Sequence, residues 1–119
     1  MHRYLLVQLF FLFACNKPAT ITINEAIKHL ENEEYYFLDV RTKREHIDKS
    51  ILNTDCIPVQ EIDERIEELE KYKDKKLIVY FRSGNRSKVA TEILIQNGFE
   101  GYSLIGGMNQ WNGKIESVK

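Results

Sequence analysis

From Leu77 to Gly98 the chain passes without interruption from a short apolar run, through a tight polar loop, into a helical pattern, and few folds accommodate that succession. Leu77-Ile-Val-Tyr-Phe81 has the length and composition of a buried strand, while Val89, Ile93, Leu94 and Phe99 give the segment after Ser87 helical spacing. The loop between them consists of Arg82, Ser83, Gly84, Asn85, Arg86 and Ser87. Gly84 is expected to supply the backbone freedom of the turn, Ser87 to cap the helix and Gly98 to end it. Successive N–H groups would then converge on one point, where the helix dipole also favours negative charge. With Arg82 and Arg86 beside them they form a candidate anion cradle. The chemistry open to such a cradle depends on a nucleophile at its rim, and the strand ends in Phe81, which has none.

The flanking segments alternate in kind. Thr22-Ile-Asn-Glu25 fits a capping box, with Glu25 reaching back to the cap, ahead of a helix whose apolar face is Ala26, Ile27 and Leu30. Tyr35 to Val40 reads as a strand that brings Asp39 and Arg41 to its carboxyl end, where open parallel sheets carry their ligand crevices. A structural role is expected for both, with Arg41 paired to Glu45 and Asp39 holding loop N–H groups. Ile57-Pro58 should close a short strand, and Val59, Ile62, Ile66 and Leu69 have the spacing of a helix with a solvated charged face. Tyr102 to Ile105 reads as the last strand, Gly106-Gly107 as a turn, and Met108 to Asn112 as a short helix whose Trp111 packs on the sheet. This alternation predicts an α/β fold, a parallel sheet of about five strands flanked by helices on both faces.

Three motifs together carry a resemblance. Arg82 to Ser87 is similar to the active-site loop of the rhodanese-like domain family; Leu38-Asp-Val-Arg41 with Glu45-His-Ile47 resembles its first signature; and Leu104-Ile-Gly-Gly-Met-Asn-Gln-Trp111 resembles its closing Gly-Gly-x-x-x-Trp. Lys49 and Ser50 stand where the family's intermediate segment has Gly and Ala. The resemblance implies the strand order of that fold and a sulfurtransferase ancestry. In that chemistry a cysteine opening the loop becomes a persulfide, and Phe81 occupies that position here. The expectation is therefore a catalytically silent module, with no catalytic residue, that binds a small anion or a partner protein. The alternative is an active sulfurtransferase using Cys56 or a thiol supplied by a partner.

Arg3 precedes an apolar run from Leu5 to Phe13, which has the length of a secretory h-region and is too short to span a membrane. Leu12-Phe-Ala-Cys15 resembles a bacterial lipobox, with Cys15 as the residue that receives lipid. The expected organisation is a lipoprotein-type signal peptide over 1–14, a tether over 15–19 and one rhodanese-like domain over 20–119. That places the chain in the bacterial cell envelope, held to the membrane by its lipid, or in the cytoplasm if the leader is not a signal. A formal net charge of -1 gives no field that would gather nucleic acid. With Cys15 lipidated, Cys56 has no thiol to pair with. His29 and His46 lack metal-ligand spacing, so neither metal nor cofactor is expected.

Overall fold

The computed structural model describes residues 19–117. The leader, most of the tether and Cys15 lie outside them. The elements in order are β1 (Ala19–Ile21), α1 (Ile23–Lys28), β2 (Tyr35–Asp39), α2 (Lys43–Asp48), β3 (Ser50–Ile51), β4 (Asp55–Cys56), β5 (Lys76–Tyr80), α3 (Asn85–Gln96), β6 (Glu100–Leu104), α4 (Gly107–Gln110) and β7 (Ile115–Glu116). The main sheet has five strands in the order β1-β6-β5-β2-β4, every pair parallel, and β3 pairs antiparallel with β7. β1 already begins at Ala19, inside the expected tether, and ends in register with Leu104.

Period-two alternation on the central strands sorts side chains onto two faces. Leu38 and Val40 from the β2 segment join Leu77 and Val79 from β5 under Ala90 and Leu94 of α3. Phe37, Ile78 and Tyr80 face the other way, against Ala26 of α1 and Met108 of α4. Helices thus cover both faces, and Trp111 packs edge-on against Phe37 with ring centroids 5.9 Å apart. Tyr80 is fully buried, so its hydroxyl needs partners. It accepts from the Ile51 amide at 3.1 Å and meets Thr54 Oγ1 at 3.1 Å. By contrast Ser50 Oγ is buried with no partner among the described residues, at a cost of about 1–3 kcal/mol.

Local chemistry departs from the sequence-based expectations at several element ends. The continuous helix expected from Val59 is instead two short 3-10 segments, Val59–Glu61 and Ile66–Tyr72, which bury Val59 and Leu69, with Ile62 buried just after the first. Thr22 caps α1 by accepting from the Glu25 amide at 3.2 Å, but the Glu25 carboxylate pairs with Lys28 and does not reach back. The reciprocal capping box occurs at α2, between Thr42 and Glu45. Val89 lies on the solvent side of α3, 48% exposed. The C-cap of α3 is Asn97, and Gly98, at φ 89°, is the residue after it. Its amide donates to Ile95 and that of Phe99 to Leu94, both at 3.0 Å, the paired bonds of a Schellman end.

Candidate functional site

The connection after β2 leads toward β4 at one edge, and α3 leads from β5 back toward β6 on the other side. Chain segments therefore leave the carboxyl ends of β2 and β5 in opposite directions, which opens a crevice between them. Asp39, Arg41 and Phe81 all stand at that crevice.

Asp39 is its hub. The carboxylate is 0% exposed and accepts from the Arg41 amide at 2.9 Å, from Arg41 Nε at 3.0 Å and Nη2 at 2.7 Å, and lies 3.0 Å from His46 Nδ1. Arg41 completes its fork on the Lys49 carbonyl at 2.6 Å. The Arg41–Glu45 pair expected from sequence does not form, because the buried carboxylate two residues back offers a bidentate partner already out of water. Glu45 pairs with Arg82 instead, with Oε2 2.6 Å from Nε and Oε1 2.9 Å from Nη2. The same Oε1 accepts from the Thr42 amide at 3.2 Å, closing the capping box. Burial raises the Glu45 pKa, but the Arg82 and Thr42 hydrogen bonds outweigh it and hold the carboxyl below its usual range.

The loop departs from β5 at Phe81, whose half-buried ring packs against the α3 side of the core. The Arg82 guanidinium lies over that ring, 4.4 Å from its centroid. Gly84 is the N-cap of α3 and has φ -85°, so the turn itself does not demand a glycine there. Ser87, expected as the cap, lies within the first turn. Its buried hydroxyl donates to the Gly84 carbonyl at 3.0 Å and sits 2.6 Å from Ser103 Oγ, fastening α3 to β6. The glycine the loop does require is Gly107. At φ 58° it opens α4, and the Met108 and Asn109 amides then donate to the Phe81 and Arg82 carbonyls at 2.8 and 2.9 Å.

The loop's amides are left without partners among the described residues, and its charges are arranged differently from the expectation. The amides of Ser83 and Gly84 form no hydrogen bond among the described residues, and the first amides of α3 have no intrahelical partner by geometry. Arg86 has no ion-pair partner among the described residues, whereas Arg82 is engaged by Glu45. Glu45 and Gly107 are absent from the sequence-based set. The Thr42-Lys-Arg-Glu45 pattern is a capping-box signature that marks Glu45 as ordered, but nothing in the sequence points it at Arg82.

Cys56 lies on β4, beside β2 and two strands from the β5 that carries the loop, and lines a cleft of about 390 Å³ with Lys43, Asp55, Arg65, Glu68 and Lys71 among others. Its thiol donates to the Arg41 carbonyl at 3.4 Å, and burial, then the Asp39 charge, push its pKa up to about 12. Donor atoms of Asp39, His46 and Cys56 come within 4.8 Å of one another, a grouping from separate segments that no spacing reveals. The Asp39 oxygens are already occupied by Arg41 and His46, and the positive charges of Lys43, Arg41 and Arg65 act on the thiol, so these surroundings disfavour a cation.

Fold and site together define a parallel α/β domain with an amide-lined loop at the carboxyl ends of its central strands. A rhodanese-like domain model matches residues 22–114, and the chain belongs to the rhodanese-like domain family. A Bacillus subtilis (strain 168) protein named "Putative sulfurtransferase YtwF" is 33% identical over 98 residues, covering 82% of this chain and 91% of its own. A rhodanese-related protein from Thermoplasma volcanium superposes with a TM-score of 0.75 at 32% identity, over 85% of this chain and 99% of that one. A rhodanese-like domain protein from Staphylococcus aureus does so with the same TM-score at 27% identity and the same coverage.

Proposed function

We propose that this domain is a catalytically silent member of its family that binds a small anion, or an anionic group on a partner protein, at the loop from Arg82 to Ser87. The observation that carries this reading is the Phe81 side chain. A phenyl ring occupies the first position of the loop, covered by the Arg82 guanidinium and seated on the core, and offers no atom that can attack a sulfur donor. Wild-type protein is therefore expected to show no thiosulfate:cyanide sulfurtransferase turnover above background, and turnover above it would overturn the reading. Phe81→Cys should acquire thiosulfate-dependent persulfide, because the helix N-terminus and Arg86 favour a thiolate with a pKa below ~8.5. The stability loss should stay under the roughly 3–5 kcal/mol of a fully buried ring, since Phe81 is only half-buried. A folded variant with an ordinary thiol pKa and no persulfide would remove the anion site.

Sulfur transfer is the competing reading, supported by the name of the Bacillus subtilis relative. Cys56 is poorly suited to it, since a thiol buried to 6% exposure with a pKa of about 12 is almost wholly protonated near neutrality. Labelling of Cys56 by a thiol reagent at neutral pH should be slow in the native protein and fast after denaturation. Fast native labelling would restore Cys56 as a candidate nucleophile. Attachment to the envelope membrane through a lipid on Cys15 is also proposed, from the Leu12-Phe-Ala-Cys15 pattern. Cys15→Ser should abolish incorporation of a labelled fatty acid in cells, and unchanged labelling would exclude the anchor.

A further inference from the structure

We propose that Glu45 is an internal competitor for the anion: its carboxylate occupies the Arg82 fork, and a ligand at the loop must displace it to recruit that second cation. The inference rests on the anion-binding reading of the loop. The two arginines of the loop stand in different states. Arg86 has no ion-pair partner among the described residues, whereas Arg82 presents both Nε and Nη2 to the two Glu45 oxygens at 2.6 and 2.9 Å. A planar guanidinium prefers such a two-oxygen acceptor, which is also the shape a carboxylate or sulfate edge would offer it.

The latch is built to open. Arg82 is 45% exposed and Glu45 31%, so the pair is exchangeable with water and weak enough for an incoming anion to contest. Glu45 does not lose its place when Arg82 leaves. Its Oε1 is also held by the Thr42 amide at 3.2 Å and Thr42 Oγ1 at 2.9 Å, so the carboxylate stays ordered on α2. Arg82 meanwhile retains the Phe81 ring beneath it as a pivot surface, 4.4 Å from the centroid. With the latch closed, the negative charge of Glu45 cancels that of Arg82, and the loop offers an anion the charge of Arg86 and the backbone amides alone. With it open, the Arg82 fork can contact the anion in addition to Arg86 and the amides.

Glu45→Gln separates these roles, because glutamine at the third helical position serves a capping box as glutamate does while removing the charge. Inorganic sulfate is the probe, titrated at constant ionic strength while the backbone amides of Ser83 to Arg86 and the Arg82 Nε–H are followed by NMR. Sulfate should bind Glu45→Gln about two- to fivefold more tightly than wild type, the scale of releasing one partly exposed bidentate pair. In wild type the Arg82 Nε–H resonance should move in step with the loop amides. Arg86→Ala should lose binding in the wild-type background and keep part of it beside Glu45→Gln, where the Arg82 fork is free. If sulfate shifts the wild-type loop amides, fails to do so in Arg86→Ala, and binds Glu45→Gln no more tightly with the Arg82 resonance unmoved, the competitor role is overturned and the anion site stands. If sulfate shifts the loop amides in neither wild type nor Glu45→Gln, both fall. Should Glu45→Gln fail to fold, the wild-type Arg82 resonance alone decides.

Discussion

Asp39→Ala is expected to destabilise the domain by about 3–5 kcal/mol, read as a lowered urea midpoint with an unchanged slope. The aspartate is fully buried and Arg41 is 6% exposed, so deletion leaves a guanidinium out of water with only the Lys49 carbonyl to receive it. It also removes the acceptor of the Arg41 amide and the neighbour of His46 Nδ1. Against a total stability of about 5–15 kcal/mol for a domain, such a loss is a large fraction of what holds it folded. Asp39→Asn should cost less, because an amide oxygen still serves the Arg41 amide while the charge is lost. A loss below about 1 kcal/mol for Asp39→Ala would mean that Arg41 finds water on its own, and that the buried pair does not organise the crevice.

Gly107→Ala should cost about 2–4 kcal/mol and displace the loop. A Cβ there would come 2.5 Å from the Phe81 carbonyl oxygen and 2.7 Å from that of Arg82. Both are backbone atoms, held in place by the Met108 and Asn109 amides, so neither can give way cheaply. The φ of 58° adds the left-handed penalty that any residue with a Cβ meets. Amide hydrogen exchange at Met108 and Asn109 should lose its protection, and sulfate binding at the loop should weaken with it. Gly84→Ala is the internal control: φ is -85° and a Cβ would come no closer than 3.9 Å to Gly106, so the change should leave stability within about 0.5 kcal/mol. Equal losses at the two glycines would show that the contact between α4 and the loop is not what fixes the loop.

Features that depend on neighbours a few residues apart were legible along the chain. The alternation of Leu77 and Val79 with Ile78 and Tyr80 set two faces on β5, the loop from Arg82 to Ser87 had to join that strand to a helix, and Gly98 had to follow the helix end. Each follows from strand pleat, helical spacing or backbone freedom, which travel with the residues themselves. Which charges meet, and which glycine matters, follows only from how the chain folds back on itself. Glu45 is four residues from Arg41 and 37 from Arg82, yet pairs with Arg82, because Asp39 had already claimed Arg41 inside the protein. Ser87, a reasonable cap by composition, became a tie to Ser103 once α3 packed on β6. Gly107 carries a requirement visible only when α4 meets the Phe81 carbonyl. Charged and polar side chains choose partners by distance and burial in the folded chain, and neither quantity is written in the spacing of residues along it.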